Sequence, residues 1–145
     1  MLIKSITLND FRQFKGNQKL EFSTDAEINV TVLLLDNTFG KTTILQAFNW
    51  CLYGVADFPK DSNPDFLLNL EVANEQAGIQ KKCEVFVEVL LLHKDTEYIV
   101  RRTQAYVDRA YGSWNALNSQ LSVSYKENGI TKPVREGEER NIINS

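Results

Sequence analysis

The residues whose types and spacing could do chemistry lie in the run Leu35-Asp36-Asn37-Thr38-Phe39-Gly40-Lys41-Thr42-Thr43. Gly40, Lys41 and Thr42 match the last three defining positions of the phosphate-loop pattern G-x-x-x-x-G-K-T/S. In such a loop, backbone N–H groups and the positive end of the following helix hold a phosphate, and the lysine neutralises its charge. We therefore predict that ATP is bound by Asp36, Asn37, Thr38, Phe39, Gly40, Lys41, Thr42 and Thr43, with the Thr42 hydroxyl as a ligand of Mg²⁺.

One position departs from the pattern, because Leu35 stands where the first glycine is expected. A branched side chain there lies where the strand must turn sharply around the phosphates. Two alternatives follow: the loop tolerates Leu35 and binds ATP, or the loop is impaired and the chain is a structural or interaction module. A chance Gly-Lys-Thr in a surface turn is disfavoured by the flanking pattern.

The elements on both sides of this run have the order that a phosphate loop needs. Residues 28–35 begin with alternating polarity and end wholly apolar, which predicts a strand covered on both faces at the centre of a sheet. Downstream, apolar residues recur at helical spacing, and Gly54 can end the helix. Asp36 resembles the Asp that ends a Mg²⁺-associated strand in NTPases, but its place just before Gly40 indicates a loop residue.

The rest of the chain predicts an α/β (α+β) fold rich in hairpins. Strands are expected at residues 2–8 and 18–23, and a loop with a possible helical turn at 66–72 follows the first helix. Alternating valines at 85–89 predict a hairpin that returns through residues 98–107. Asn128-Gly129 predicts the turn of a second hairpin, and the tail reads as the start of a helix.

The length, charge and residue spacing of the chain exclude several classes of function. The chain has 145 residues, which suits one domain, and its net charge of −3 means that any nucleic-acid contact must come from a local patch. Cys51, Cys83 and His93 have no metal-ligand spacing, so a metal site built from them is not expected. Lys4 interrupts the apolar N-terminal residues, so we expect a cytoplasmic protein without a membrane segment.

With these motifs in order, the chain resembles the N-terminal lobe of the SMC/SbcC/RecF/DndD group of ABC-type ATPases. The resemblance covers the first strand, the element Asn9-Asp10-Phe11-Arg12-Gln13-Phe14, the Gly-Lys-Thr loop and the helix that ends at Gly54. The hairpin half is similar to the antiparallel β subdomain of the group, with Val100-Arg101-Arg102 as its basic strand. The residues from Asn49 to Gly54 and the tail are most similar to DndD-like proteins of DNA phosphorothioation and defence.

The resemblance implies a P-loop NTPase fold with a mixed central sheet plus an antiparallel β subdomain. The implied divisions of one lobe are a P-loop core at 1–54, a loop-rich connection at 55–81, the β subdomain at 82–135 and the start of a helix at 136–145. It also implies an ATPase that works with a C-terminal lobe of the same protein, coiled-coil helices, a homodimer of heads, and DNA. Arg12 would then reach the nucleotide near its phosphates.

Catalysis is not expected from this chain alone, because its sequence has no Leu-Ser-Gly-Gly signature and no strand ending in a catalytic Glu. A small P-loop kinase is disfavoured, since residues 55–80 contain no arginine for a lid. Two interpretations remain for the basic residues of the second half, a DNA-backbone track or a solvated sheet face. These residues are Lys81, Lys82, Arg101, Arg102 and Arg109.

Overall fold

A computed structural model describes residues 1–35, 40–135 and 137–144 of the chain. Helices and strands are both present, as the α/β (α+β) prediction requires. The elements, in chain order, are β1 Leu2–Phe11, β2 Phe14–Glu21, α1 Lys41–Tyr53, α2 Leu70–Gln76, β3 Lys82–His93, β4 Thr96–Asp108, β5 Trp114–Ala116, β6 Gln120–Glu127, β7 Ile130–Pro133 and α3 Glu139–Ile143.

The strands form one seven-stranded sheet with the order β2-β1-β3-β4-β6-β7, and β5 pairs with β4. Every pairing between these strands is antiparallel. The prediction of a mixed central sheet is therefore wrong for the described residues. The physical reason is connection length: β1–β2, β3–β4 and β6–β7 are joined by two-residue turns, which cannot make the crossover that parallel strands need.

The predicted central strand at residues 28–35 is also wrong for the described chain. This segment forms no strand, and its apolar side chains before Leu35 are exposed, with Val32 72% and Leu34 89% accessible. A strand needs a neighbour to complete its backbone hydrogen bonds, and no described strand pairs with this segment. Local bonds hold its start instead, as Ser23 N–H donates to Thr31 Oγ1 at 2.9 Å.

The two predicted hairpins are confirmed. The alternating side chains of β3 bury one face of the strand, with Val85, Val87 and Val89 fully inaccessible. Asn128 and Gly129 have φ angles of 50° and 77°, the left-handed conformation that a two-residue turn requires. The predicted strands 2–8 and 18–23 also form, although β1 extends to Phe11 and β2 spans Phe14–Glu21.

The possible helical turn at 66–72 is found slightly later, as α2. This helix begins at Leu70 because the side chain of Asn69 caps it, accepting a hydrogen bond from the Val72 N–H at 3.1 Å. Asn69 also donates from Nδ2 to the Arg12 carbonyl at 2.7 Å. The loop before α2 is thereby joined to the β1–β2 turn.

The core lies between α1 and the inner face of β1, β3 and β4. Trp50 of α1 packs against Phe11 of β1 with 5.6 Å between ring centroids. Cys51 is fully buried, and its Sγ donates to the Val87 carbonyl at 3.2 Å. Burial raises the pKa of Cys51 to about 12, so the thiol stays protonated and acts as a small apolar side chain. As predicted, α1 ends at Gly54, whose φ is 78°.

Candidate phosphate-binding site

Gly40 stands directly before α1 in a conformation that only glycine adopts without strain. Its φ is 102°, and a Cβ at this position would lie 2.7 Å from Phe14 Cζ and 2.9 Å from Gln13 Nε2. The chain therefore passes close to the β1–β2 turn, and a side chain at position 40 would require Phe14 and Gln13 to move.

The first turn of α1 has backbone N–H groups that have no partner inside the helix. The first hydrogen bond inside the helix joins Ile44 N–H to the Gly40 carbonyl at 2.9 Å. No side chain among the described residues caps the helix, and its first turn holds no acidic residue. The N–H groups of Lys41, Thr42 and Thr43 together with the helix dipole thus favour an anion at this end.

The three side chains that follow Gly40 differ in their surroundings. Lys41 is exposed and makes no ion pair with any residue that the structure describes. Thr42 is exposed and lines a cleft of about 720 Å³ together with Phe58, Pro59, Lys60, Asp61 and Ser62. Thr43 is buried, and its hydroxyl donates to Gln13 Oε1 at 2.8 Å. Thr43 can therefore bind a phosphate only through its backbone N–H, because its hydroxyl is already bonded to Gln13.

Arg12 lies in the β1–β2 turn with a φ of 55°, held by a backbone bond from its N–H to the Leu67 carbonyl at 2.7 Å. Its guanidinium pairs with Asp61, donates to the Phe66 carbonyl at 2.7 Å and covers the Phe58 ring at 4.1 Å. The Asn63 N–H, with help from Arg12, holds the pKa of Asp61 below its usual value. Arg12 is thus brought to the loop that lines the Thr42 cleft.

The structure brings Arg12, Gly40 and Thr42 to one region, with Lys41 exposed beside them. Asp36, Asn37, Thr38 and Phe39 lie outside the described residues, so their role stays a prediction. Leu35, the last described residue before them, is half-buried.

Sequence reasoning missed two parts of this region. The first is the pair Gln13 and Phe14, which presses on Gly40, and the second is the loop 58–66, which holds Arg12. No periodicity or motif connects these residues, since the contacts join segments that are far apart in the chain. The only available signal was the loop composition, which does not identify a partner.

The basic residues for which a DNA-backbone track was one of two interpretations do not form one continuous surface. Arg101 and Arg102 are adjacent in β4 and therefore point to opposite faces of the sheet. Arg101 pairs with Glu88 at 3.5 Å on the outer face and covers the Phe86 ring at 3.7 Å. Arg102 lies on the inner face, where its Nε donates to the Cys51 carbonyl at 3.1 Å.

Neither a protein-built metal centre nor a membrane helix is found in the described part of the chain. Among residues 1–35, 40–135 and 137–144, no group of three or more His, Cys, Asp and Glu side chains could hold a metal ion. Within the same residues, no helix has the length and apolar character needed to cross a bilayer.

Comparison of the sequence with known protein families assigns the chain to one of them. The sequence profile of the AAA domain (AAA_23) matches residues 5–145, which is nearly the whole chain. The chain belongs to this family. Members of the AAA domain family are nucleotide-binding ATPases that use ATP, usually with Mg²⁺. No curated protein matches the chain.

The described residues of this AAA domain fit a bound nucleotide phosphate. Gly40 leaves room that a Cβ would fill, the first N–H groups of α1 are uncapped, and Lys41 is exposed beside them. The exposed hydroxyl of Thr42 is a hard oxygen ligand of the kind that Mg²⁺ prefers.

Proposed function

We propose that this AAA domain is the ATP-binding N-terminal lobe of an SMC/SbcC/RecF/DndD-like ATPase. In the full protein, ATP binding, dimerisation of two heads and hydrolysis would be coupled to DNA repair, DNA processing or defence linked to DNA modification. The DndD-like assignment is the finer part of the proposal and depends on the motifs from Asn49 to Gly54 and the tail.

The observation that carries the proposal is the arrangement of Gly40, Lys41 and Thr42 at the uncapped start of α1. The N–H groups there hold the phosphate oxygens, Lys41 neutralises their charge and the Thr42 hydroxyl ligates Mg²⁺. The cleft of about 720 Å³ between Thr42 and residues 58–62 is large enough to receive the rest of a nucleotide. Arg12 lies beside that cleft, where its guanidinium pairs with Asp61.

Isothermal titration of the chain with a non-hydrolysable ATP analogue and Mg²⁺ tests this site. Lys41→Ala removes the charge that faces the phosphates, so we expect the affinity to fall by about tenfold or more. Lys19→Ala is the matched control, because Lys19 is exposed and pairs with Glu21. Affinity that is equal in the wild type and in Lys41→Ala would place the nucleotide elsewhere.

The exposure of segment 28–35 supports the proposal that this lobe binds a protein partner. Its apolar side chains have the character of a buried strand, yet no described strand pairs with it. We propose that the C-terminal lobe of the same protein supplies the neighbouring strands and completes a central sheet. DNA and a second head remain proposed partners that depend on the family resemblance.

A second candidate function follows from Leu35. If its side chain obstructs the loop, the chain is a structural or interaction module with impaired nucleotide binding. The motif itself favours this candidate, since a branched side chain at the position of the first glycine hinders the sharp turn that a phosphate loop makes. Substitution of Leu35 by glycine distinguishes between these two candidate functions.

A further inference from the structure

A second cavity lies at the opposite end of α1 from Gly40. It has a volume of about 450 Å³ and shares no lining residue with the Thr42 cleft. Four of its lining side chains are polar: Arg102, Ser119, Arg140 and Asn144. The apolar part of the wall consists of Leu52, Tyr53, Leu121 and Ile143.

Arg102 is held rigidly in this wall. Its Nε donates to the Cys51 carbonyl at 3.1 Å and its Nη1 donates to Ser119 Oγ at 3.3 Å. The guanidinium also lies against Gly54, where a Cβ would be 3.3 Å from Cζ. An arginine side chain has five N–H donors, so this one keeps donors that its protein partners do not use.

Arg140 reaches the same cavity from α3. The side chain is exposed, and the helix that carries it is anchored to the core by buried Ile143. Burial is the first cause that lowers the pKa of Arg102, and the positive charge of Arg140 lowers it further. The two guanidinium groups therefore repel each other across the cavity.

No carboxylate in the described part of the chain pairs with either Arg102 or Arg140. Elsewhere on the sheet basic side chains do have acidic partners, as Arg101 has Glu88 and Lys126 has Glu97. The C-terminal carbonyls of α1 offset part of the charge of Arg102, but they leave Arg140 uncompensated. An anion in the cavity would relieve this repulsion.

We infer that this cavity binds a phosphate group, held by Arg102 and Arg140 and supported by Ser119 and Asn144. Guanidinium groups bind phosphate through paired N–H donors, and two of them balance its double charge. The phosphate is either a free anion or part of a nucleic-acid backbone, and both present the same oxygens. The site is independent of the nucleotide site at Gly40, because the two cavities lie at opposite ends of α1.

NMR titration of the ¹⁵N-labelled chain tests the site, with inorganic phosphate as the first probe and a short single-stranded DNA as the second. We expect saturable shifts of the Arg102 Nε–H and of the Ser119 and Asn144 amides. Arg140→Gln should weaken binding by about tenfold, since it removes one charged partner. Arg101→Gln is the matched control, because Arg101 lies on the outer face and pairs with Glu88.

The titration is repeated in Lys41→Ala, so that phosphate bound at the start of α1 cannot be mistaken for this site. Shifts that persist there and are lost in Arg140→Gln support the inference. Tighter binding of DNA than of phosphate identifies a nucleic-acid strand as the source, and the reverse identifies a free anion. The inference is overturned if neither probe shifts these signals, or if Arg140→Gln and Arg101→Gln bind equally well.

Discussion

Helix α1 and the segment 28–35 are two apolar regions on either side of the Gly-Lys-Thr loop, and their surroundings are opposite. In α1, Ala47 and Cys51 are fully buried and Trp50 is 4% accessible. In the segment, Ile28 is 72% and Leu34 is 89% accessible. The apolar pattern alone therefore does not determine burial.

The difference comes from how each region satisfies its backbone. A helix completes its hydrogen bonds internally and needs only one apolar surface to pack on, which β1, β3 and β4 provide for α1. A strand covered on both faces needs neighbours on both edges. The described strands pair with one another, and none of them pairs with the segment.

Removing the main contact of α1 should have the largest effect. Trp50→Ala leaves a cavity against Phe11, so we expect the free energy of unfolding to fall by about 3–5 kcal/mol. Urea denaturation followed by circular dichroism measures it. Tyr53→Ala, on the same helix but 61% exposed, is the control and should cost less than about 1 kcal/mol. Equal losses for the two variants would mean that α1 does not pack as described.

Much of the fold could be predicted because its signals are local. Period-two alternation placed β3 and β4, Asn128-Gly129 placed the β6–β7 turn, and Gly54 placed the end of α1. Each depends only on a few neighbouring residues. The prediction of a strand at 28–35 was wrong because a strand needs a neighbour for its backbone hydrogen bonds, and no local pattern shows whether one is present.

The candidate site could be predicted in its motif but not in its surroundings. Gly40, Lys41 and Thr42 are adjacent, so their pattern is visible in the sequence. Arg12 and Asp61 are 49 residues apart, and Gln13 and Thr43 are 30 apart. Such contacts follow from how β1, β2 and α1 pack, which a single sequence does not encode as a pattern.

Leu35 is the last residue of the segment that precedes α1, and its substitution should change the free energy of ATP binding by an intermediate amount. We expect Leu35→Gly to increase the affinity for ATP·Mg²⁺ by about tenfold, or about 1.4 kcal/mol, because it restores a residue that turns freely. Calorimetric titration measures it. Leu33→Gly is the control, as it removes the same side chain two residues earlier and should leave the affinity within about twofold. An unchanged affinity in Leu35→Gly would show that the loop accommodates leucine.

Changing an exposed side chain of the segment should have the smallest effect on stability. Leu34→Ser loses no packing in the isolated lobe, so its free energy of unfolding should stay within about 0.5 kcal/mol of the wild type. Leu68→Ser, at a position only 1% accessible, is the matched control and should be strongly destabilised. A loss above about 1.5 kcal/mol for Leu34→Ser would mean that the segment is packed in solution.

The same variant tests the proposed partner of the segment. When the C-terminal lobe is added as a separate chain, pairing should slow hydrogen exchange of the backbone amides at residues 28–35. Leu34→Ser should reduce that protection, since a polar side chain weakens the apolar face that the partner would cover. Hydrogen exchange that is equally fast with and without the lobe would rule out the proposal that the C-terminal lobe pairs with this segment. The segment would then be exposed in the native full protein as well, and its apolar side chains would differ in burial from those of α1 with or without the lobe.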